Sequence, residues 1–128
     1  MPSQDRHPHQ VLLDALRDEF ADILDNSQQA IYAYLDNEHK ICNARFAALI
    51  GYPSPKEYAA TPDPMVDVAE NSVNPLVTAY QKAIEQKAGS SIEVTFKKKS
   101  GGTVKTNVIL VPIAFQNELL ALHFIAVK

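Results

Sequence analysis

The 128-residue chain has no tryptophan, a single cysteine and only four glycines, and these shortages close off several routes. Cys42, being alone, forms no intrachain disulfide and leaves no cysteine cluster for zinc, so a reducing compartment fits best. Charge of one sign is scarce too. A formal net charge of −3 gives no electrostatic reason to expect neutralisation of nucleic-acid phosphates. The first ten residues, MPSQDRHPHQ, lack an apolar stretch of signal-peptide character, and later apolar runs fall short of the ~20 residues that span a bilayer. The expectation is a soluble, cytoplasmic protein without nucleic-acid or membrane partners. What remains, 46% hydrophobic and 8% aromatic residues, suffices for one packed core in one domain.

Residues 1–9 read as a loose tail carrying two prolines and two histidines. Over residues 10–26, Leu13, Leu16, Phe20 and Ile23 recur at spacing 3, 4, 3, which predicts an amphipathic helix. Its two heptads suit pairing with a second chain as well as packing on its own domain. Residues 27–128 read as the domain proper. Ile31–Leu35 and Lys40–Cys42 flank the polar turn Asp36-Asn-Glu-His39 and predict a hairpin. Asn43 then caps a short helix that stops at Gly51. Pro53, Pro55, Pro62, Pro64 and Pro75 exclude long regular elements up to Pro75, although Ser54-Pro-Lys-Glu57 and Asp63-Pro64 have the form of helix starts. Asn74-Pro75 opens the main packing helix through Leu76, Tyr80, Ala83 and Ile84, closed by Gly89. The last third alternates at period two and predicts three strands, the final two with apolar runs that suggest cover on both faces.

This order of helix, two strands, short helices, longer helix and three strands resembles the PAS family. So does the stretch Asn43-Ala-Arg-Phe-Ala-Ala-Leu-Ile-Gly-Tyr52, and Lys98-Lys-Ser-Gly-Gly-Thr-Val-Lys105 is similar to the family's polar hairpin. Glu38 departs from the glycine that the family often has in the first hairpin, which bears on turn geometry. The resemblance implies an α+β fold, a five-stranded antiparallel sheet with short helices and one longer helix on one face, preceded here by the N-terminal amphipathic helix. It also implies a pocket for a cofactor or small ligand, and a sensing role passed to a partner or output domain.

The known chemistries of the family are not visible. Where a flavin photosensor carries a reactive cysteine, this chain has Ala44 in Asn43-Ala-Arg-Phe46, and Cys42 reads as a small buried hydrophobe. Residues 75–88 lack the histidine of one haem-binding subgroup, so neither a flavin–thiol adduct nor that haem type is expected and the ligand is left unassigned. Pocket candidates are Phe46, Tyr80, Asn107 and His123. His123 in the apolar last strand suits a hydrogen bond in a pocket, titration near neutrality, or a satisfied core site. Dimer-interface candidates are Leu13, Leu16, Phe20 and Ile23 with Tyr32 and Tyr34, placed on the outer sheet face on the assumption that Ala33 points to the pocket. Lys97–Lys99 reads as a solvated hairpin tip. His7 and His9 stand two apart, and a metal site needs more ligands than that, so none is assigned. No catalytic constellation stands out. The expected function is a sensory domain that binds a small ligand or cofactor and signals through homodimer or partner contacts; a ligand-free dimerisation or protein-interaction module is the alternative, and a small cone-fold, isomerase-like enzyme is the third reading. Lys128 follows the last strand directly, which fits a stand-alone protein or a piece of a longer receptor.

Overall fold

The computed structural model describes residues 8–128; the expected tail therefore lies outside the described residues except for Pro8 and His9. Helix α1 (Pro8–Glu19) is followed by α2 (Ala21–Asn26), then by strands β1 (Ala30–Asp36) and β2 (His39–Cys42). Short helices α3 (Ala44–Ile50) and α4 (Pro55–Ala59) and a 3-10 turn (Pro64–Asp67) lead to α5 (Glu70–Gln86). Strands β3 (Ser90–Lys97), β4 (Thr103–Phe115) and β5 (Glu118–Val127) complete one antiparallel sheet in the order β2-β1-β5-β4-β3.

Local chemistry sets most boundaries. The Asn43 side chain accepts from the Phe46 amide at the start of α3, and Gly51 ends that helix in the left-handed region at φ 92°. Asn43 does more than cap. Its Oδ1 also accepts from the Ile31 amide, and its Nδ2 donates to the Gln29 carbonyl, so one buried amide ties α3 to the start of β1. Each buried donor left unpaired costs about 1–3 kcal/mol, which makes Asn43 a stringent position. Ser54 and Asp63 cap α4 and the 3-10 turn as their sequences suggest. At Glu38 the turn needs no glycine, because the Asp36 carboxylate accepts from the Glu38 amide at 2.9 Å and holds the chain reversal.

Two elements differ from the sequence expectation. Helix α5 begins at Glu70, so Pro75 lies inside it, and it is capped at Lys87 (φ 55°) rather than at Gly89. Its first turn is held by β3: the Ala69 amide donates to the Thr95 carbonyl, and the Ser72 hydroxyl accepts from the Thr95 amide. Tertiary hydrogen bonds thus outweigh the local preference of proline. The N-terminal helix is interrupted at Phe20, and its two halves lie on the chain's own sheet. There Leu12, Leu13, Leu16 and Leu24 pack on Ile31, Ala33, Leu35, Ile41 and Leu120. A second, larger core fills the opposite face, where α3, α4 and α5 cover Tyr32, Val94, Phe96, Val108, Leu110 and Ile125.

Candidate functional site

The larger core is not completely filled. A cavity of about 310 Å³ lies between the sheet and the helices, bordered by β1, β3, β5, α3, α4, the 3-10 turn and α5. Its walls are aromatic. The Phe46 ring sits 4.7 Å from Tyr32, 5.2 Å from Tyr58 and 5.6 Å from Phe96, the last two edge-on. Tyr34 and Tyr80 meet edge-on at 5.2 Å nearer the rim, with Met65, Leu76 and Val77 completing the apolar surface.

Besides the tyrosines, polar side chains reach this lining at Asn37, Asp67, Gln81 and His123, with Tyr52 and Lys40 standing behind it. The Tyr52 hydroxyl donates to Asp67 Oδ2 at 2.6 Å, and burial together with Asp67 pushes the Tyr52 pKa up. Beside them the buried Lys40 stem carries its ammonium to the Asn37 carbonyl at 2.5 Å and to the Thr61 carbonyl. That ammonium also lies 5.5 Å from the Tyr58 ring centre. Across the cavity His123 stacks on Tyr32, ring centres 3.8 Å apart and planes within 13°. Its Nδ1 is the one buried side-chain nitrogen or oxygen among the described residues that lacks a hydrogen-bond partner. Burial depresses its pKa to about 3, so the imidazole is neutral at ordinary pH and does not titrate near neutrality as its residue type suggested.

Three of the four sequence-derived pocket residues, Phe46, Tyr80 and His123, border the cavity. Asn107 does not. It is exposed on the outer face of β4, opposite Glu93 and Ala126, whereas its neighbour Thr106 points inward and donates to the Val94 carbonyl. The proposed interface residues divide as well. Tyr32 and Tyr34 lie on the pocket face, because Ala33 and Leu35 fill the space beneath α1. The phase assumed for β1 was therefore inverted. Leu13 and Leu16, 1% and 2% exposed, are consumed by packing within the chain and present no surface to a partner. Phe20 is half-buried with its ring 6.1 Å from Phe115, and Ile23 remains exposed.

Cys42 is buried, and burial pushes its thiol up to about 12, so it behaves as a small apolar group. Sequence reasoning did not single out Tyr58, Met65 or Asp67 for the site. They come from the proline-punctuated stretch, where no periodicity exists to assign an inward face.

No protein-family model matches the chain, and no curated protein matches it. Solved structures do. A PAS domain from Colwellia psychrerythraea superposes with a TM-score of 0.69 at 20% identity, covering 88% of this chain and 97% of that one. The PAS domain of nitrogen regulation protein NR(II) from Vibrio parahaemolyticus gives 0.67 at 16% identity, covering 84% and 96%. A PAS domain from a two-component sensor histidine kinase gives 0.66 at 18% identity, covering 90% and 99%. With the five-stranded antiparallel sheet, the helices over one face and the cavity between them, these likenesses establish that this chain has the PAS fold.

Proposed function

We propose that the chain is a cytoplasmic sensory domain that takes a small, mainly apolar ligand into the aromatic cavity and passes its occupancy to a signalling partner or output domain. The observation that carries this reading is the cavity of about 310 Å³ with the unpartnered Nδ1 of His123 beside it. A pocket of this size, apolar with a few convergent polar groups, has the character of small-molecule sites. An orphaned buried nitrogen costs about 1–3 kcal/mol, and a ligand that shifts the Tyr32–His123 stack far enough to hydrogen-bond Nδ1 offsets that cost while its apolar body covers Phe46, Tyr58 and Leu76. The lining is mainly aromatic and aliphatic, with Asp67 and His123 among its few polar groups, a surface that supports binding of such a ligand. Thermal unfolding across a panel of small aromatic and aliphatic compounds, with native mass spectrometry of the freshly purified protein, tests this. At least one compound should raise the midpoint by several degrees at saturation, and Met65→Trp, which places a ring in one wall, should abolish the shift. Absence of both a shift and a bound mass would count against ligand sensing.

A second reading concerns how the signal leaves. The outer faces of β4 and β5 present Ile109, Val111, Ile113, Leu122 and Phe124, which α1 and α2 cover only in part, and Ile23 is exposed beside them. Apolar surface of this kind suits a second copy of the chain. Sedimentation should show a dimer that Ile109→Glu converts to a monomer with unchanged circular dichroism. A monomeric wild-type chain at high concentration would remove this reading.

A further inference from the structure

Away from the cavity, the start of α1 meets the β1–β2 turn in a cluster of two imidazoles and a carboxylate. His9 Nδ1 lies 2.6 Å from Asp36 Oδ2, and His39 Nδ1 lies 2.7 Å from Asp36 Oδ1. The two imidazole rings are 5.8 Å apart and nearly perpendicular. These residues belong to separate elements: the first turn of α1, the last residue of β1 and the first of β2. The pairing register of the hairpin shifts between Tyr34 and Asp36, and Asp36 and His39 face one another across its end. We propose that His9, Asp36 and His39 form a site for one divalent transition cation of the zinc type, clamping the start of α1 to the β1–β2 turn.

Geometry and donor chemistry agree on this. One ligand atom from each residue lies within 4.8 Å of the others. Zinc bonds of about 2.0–2.1 Å in tetrahedral array place ligand atoms roughly 3.3 Å apart, a separation that small side-chain rotations reach from here. Two imidazole nitrogens with one carboxylate suit zinc and its neighbours, whereas calcium and magnesium favour oxygen ligands alone. All three residues are half-buried, which leaves room for water to complete the coordination. Glu118 at the start of β5 stands near enough to become an outer partner: its Oε1 is 3.8 Å from His9 Nε2, the ring nitrogen remote from Asp36, and a small side-chain rotation would bring the two to hydrogen-bond distance. A histidine that ligates through one nitrogen commonly donates the other N–H to a carboxylate, which fixes ring orientation. In the metal-free protein the Asp36 carboxylate accepts from both rings, and a bound cation takes the place of those two protons. Occupancy would then tie α1, the β1–β2 turn and the β4–β5 turn into one unit.

Zinc chloride titrated calorimetrically into the untagged chain should give one ion per chain with a micromolar dissociation constant. His39→Ala and Asp36→Asn should each weaken it at least about tenfold, measured well below their metal-free unfolding midpoints, which Asp36→Asn should lower because that carboxylate also holds the β1–β2 turn. His7→Ala should leave the affinity unchanged. As a readout independent of any substitution, zinc should slow amide exchange across α1 of the wild-type chain. Lack of binding by the wild type, unaltered exchange in α1, or binding lost in His7→Ala but retained in His39→Ala would each overturn the proposal, the last by exposing simple chelation by the His7–His9 pair.

Discussion

Phe46→Ala is expected to lower the free energy of unfolding by about 3–5 kcal/mol, as complete removal of a buried aromatic ring generally does. Phe46 is 1% exposed and stands at the centre of the aromatic wall, in contact with Tyr32, Tyr58 and Phe96. Its ring cannot be replaced by collapse of one neighbour, because those three rings belong to β1, α4 and β3, of which β1 and β3 lie at separate places in one hydrogen-bonded sheet. A domain of this size holds about 5–15 kcal/mol in all, so the variant should sit near its unfolding threshold at physiological temperature. Phe46→Leu, which keeps most of the volume, should cost less than half as much. Urea denaturation followed by circular dichroism measures both. A loss below about 1 kcal/mol for Phe46→Ala would mean that the ring lines an already open space and is not part of the core.

Acid should unfold the protein earlier than its carboxylates alone require. His123 has a pKa of about 3 in the folded chain, depressed by burial, against an ordinary histidine value near 6.5 in the unfolded chain. Below pH 6.5 the unfolded state therefore takes up a proton that the folded state refuses. The stability is fully present above 6.5 and drains away as pH falls toward 3, with a limiting slope of about 1.4 kcal/mol per pH unit. Between pH 7.5 and pH 4.5 this amounts to about 2–3 kcal/mol. Asp36 acts in a lower window: burial raises its pKa, but hydrogen bonds from His9 and His39 prevail and hold it at about 2, so its contribution is lost mainly below pH 4. Comparing unfolding free energies at pH 7.5 and 4.5 in the wild type and in a variant without the imidazole thus isolates His123. In His123→Phe the difference should shrink by the full 2–3 kcal/mol, and an unchanged difference would show that the imidazole is protonated in the folded state.

The variants bear on a feature that the residue pattern half disclosed. Phe46 and His123 were both legible as pocket residues, one from its place in the stretch Asn43–Tyr52 and the other as a polar group in an apolar strand. Tyr32, which stacks on His123, was assigned to the opposite face. Alternation in β1 shows that Tyr32 and Tyr34 share a face and that Ala33 and Leu35 share the other. It carries no information about which face is inward when both are covered, as here by α1 on one side and α3, α4 and α5 on the other. The same ambiguity misplaced Asn107 by one position relative to Thr106.

The N-terminal helix shows a related limit. Its apolar stripe was plain, yet a stripe specifies only that something covers it, and the chain's own sheet takes Leu13 and Leu16 while leaving Ile23 exposed. The His9, Asp36 and His39 cluster was beyond sequence reading altogether, since its members are 27 and three positions apart and meet only because α1 docks against the hairpin.

By itself, then, the sequence determined the elements whose signals are local: the Asn43 cap and Gly51 stop of α3, the capped short helices among the prolines, the polar turns and the period-two strands. Their order carried the fold. Tertiary structure alone decided the phase of β1, the extension of α5 past Pro75, the shape of the cavity and the meeting of His9 with Asp36 and His39. The physical reason is range. Caps, turns and periodicity arise from atoms a few residues apart, whereas a strand's inward face and a helix's docking partner are set by which distant surface removes it from water.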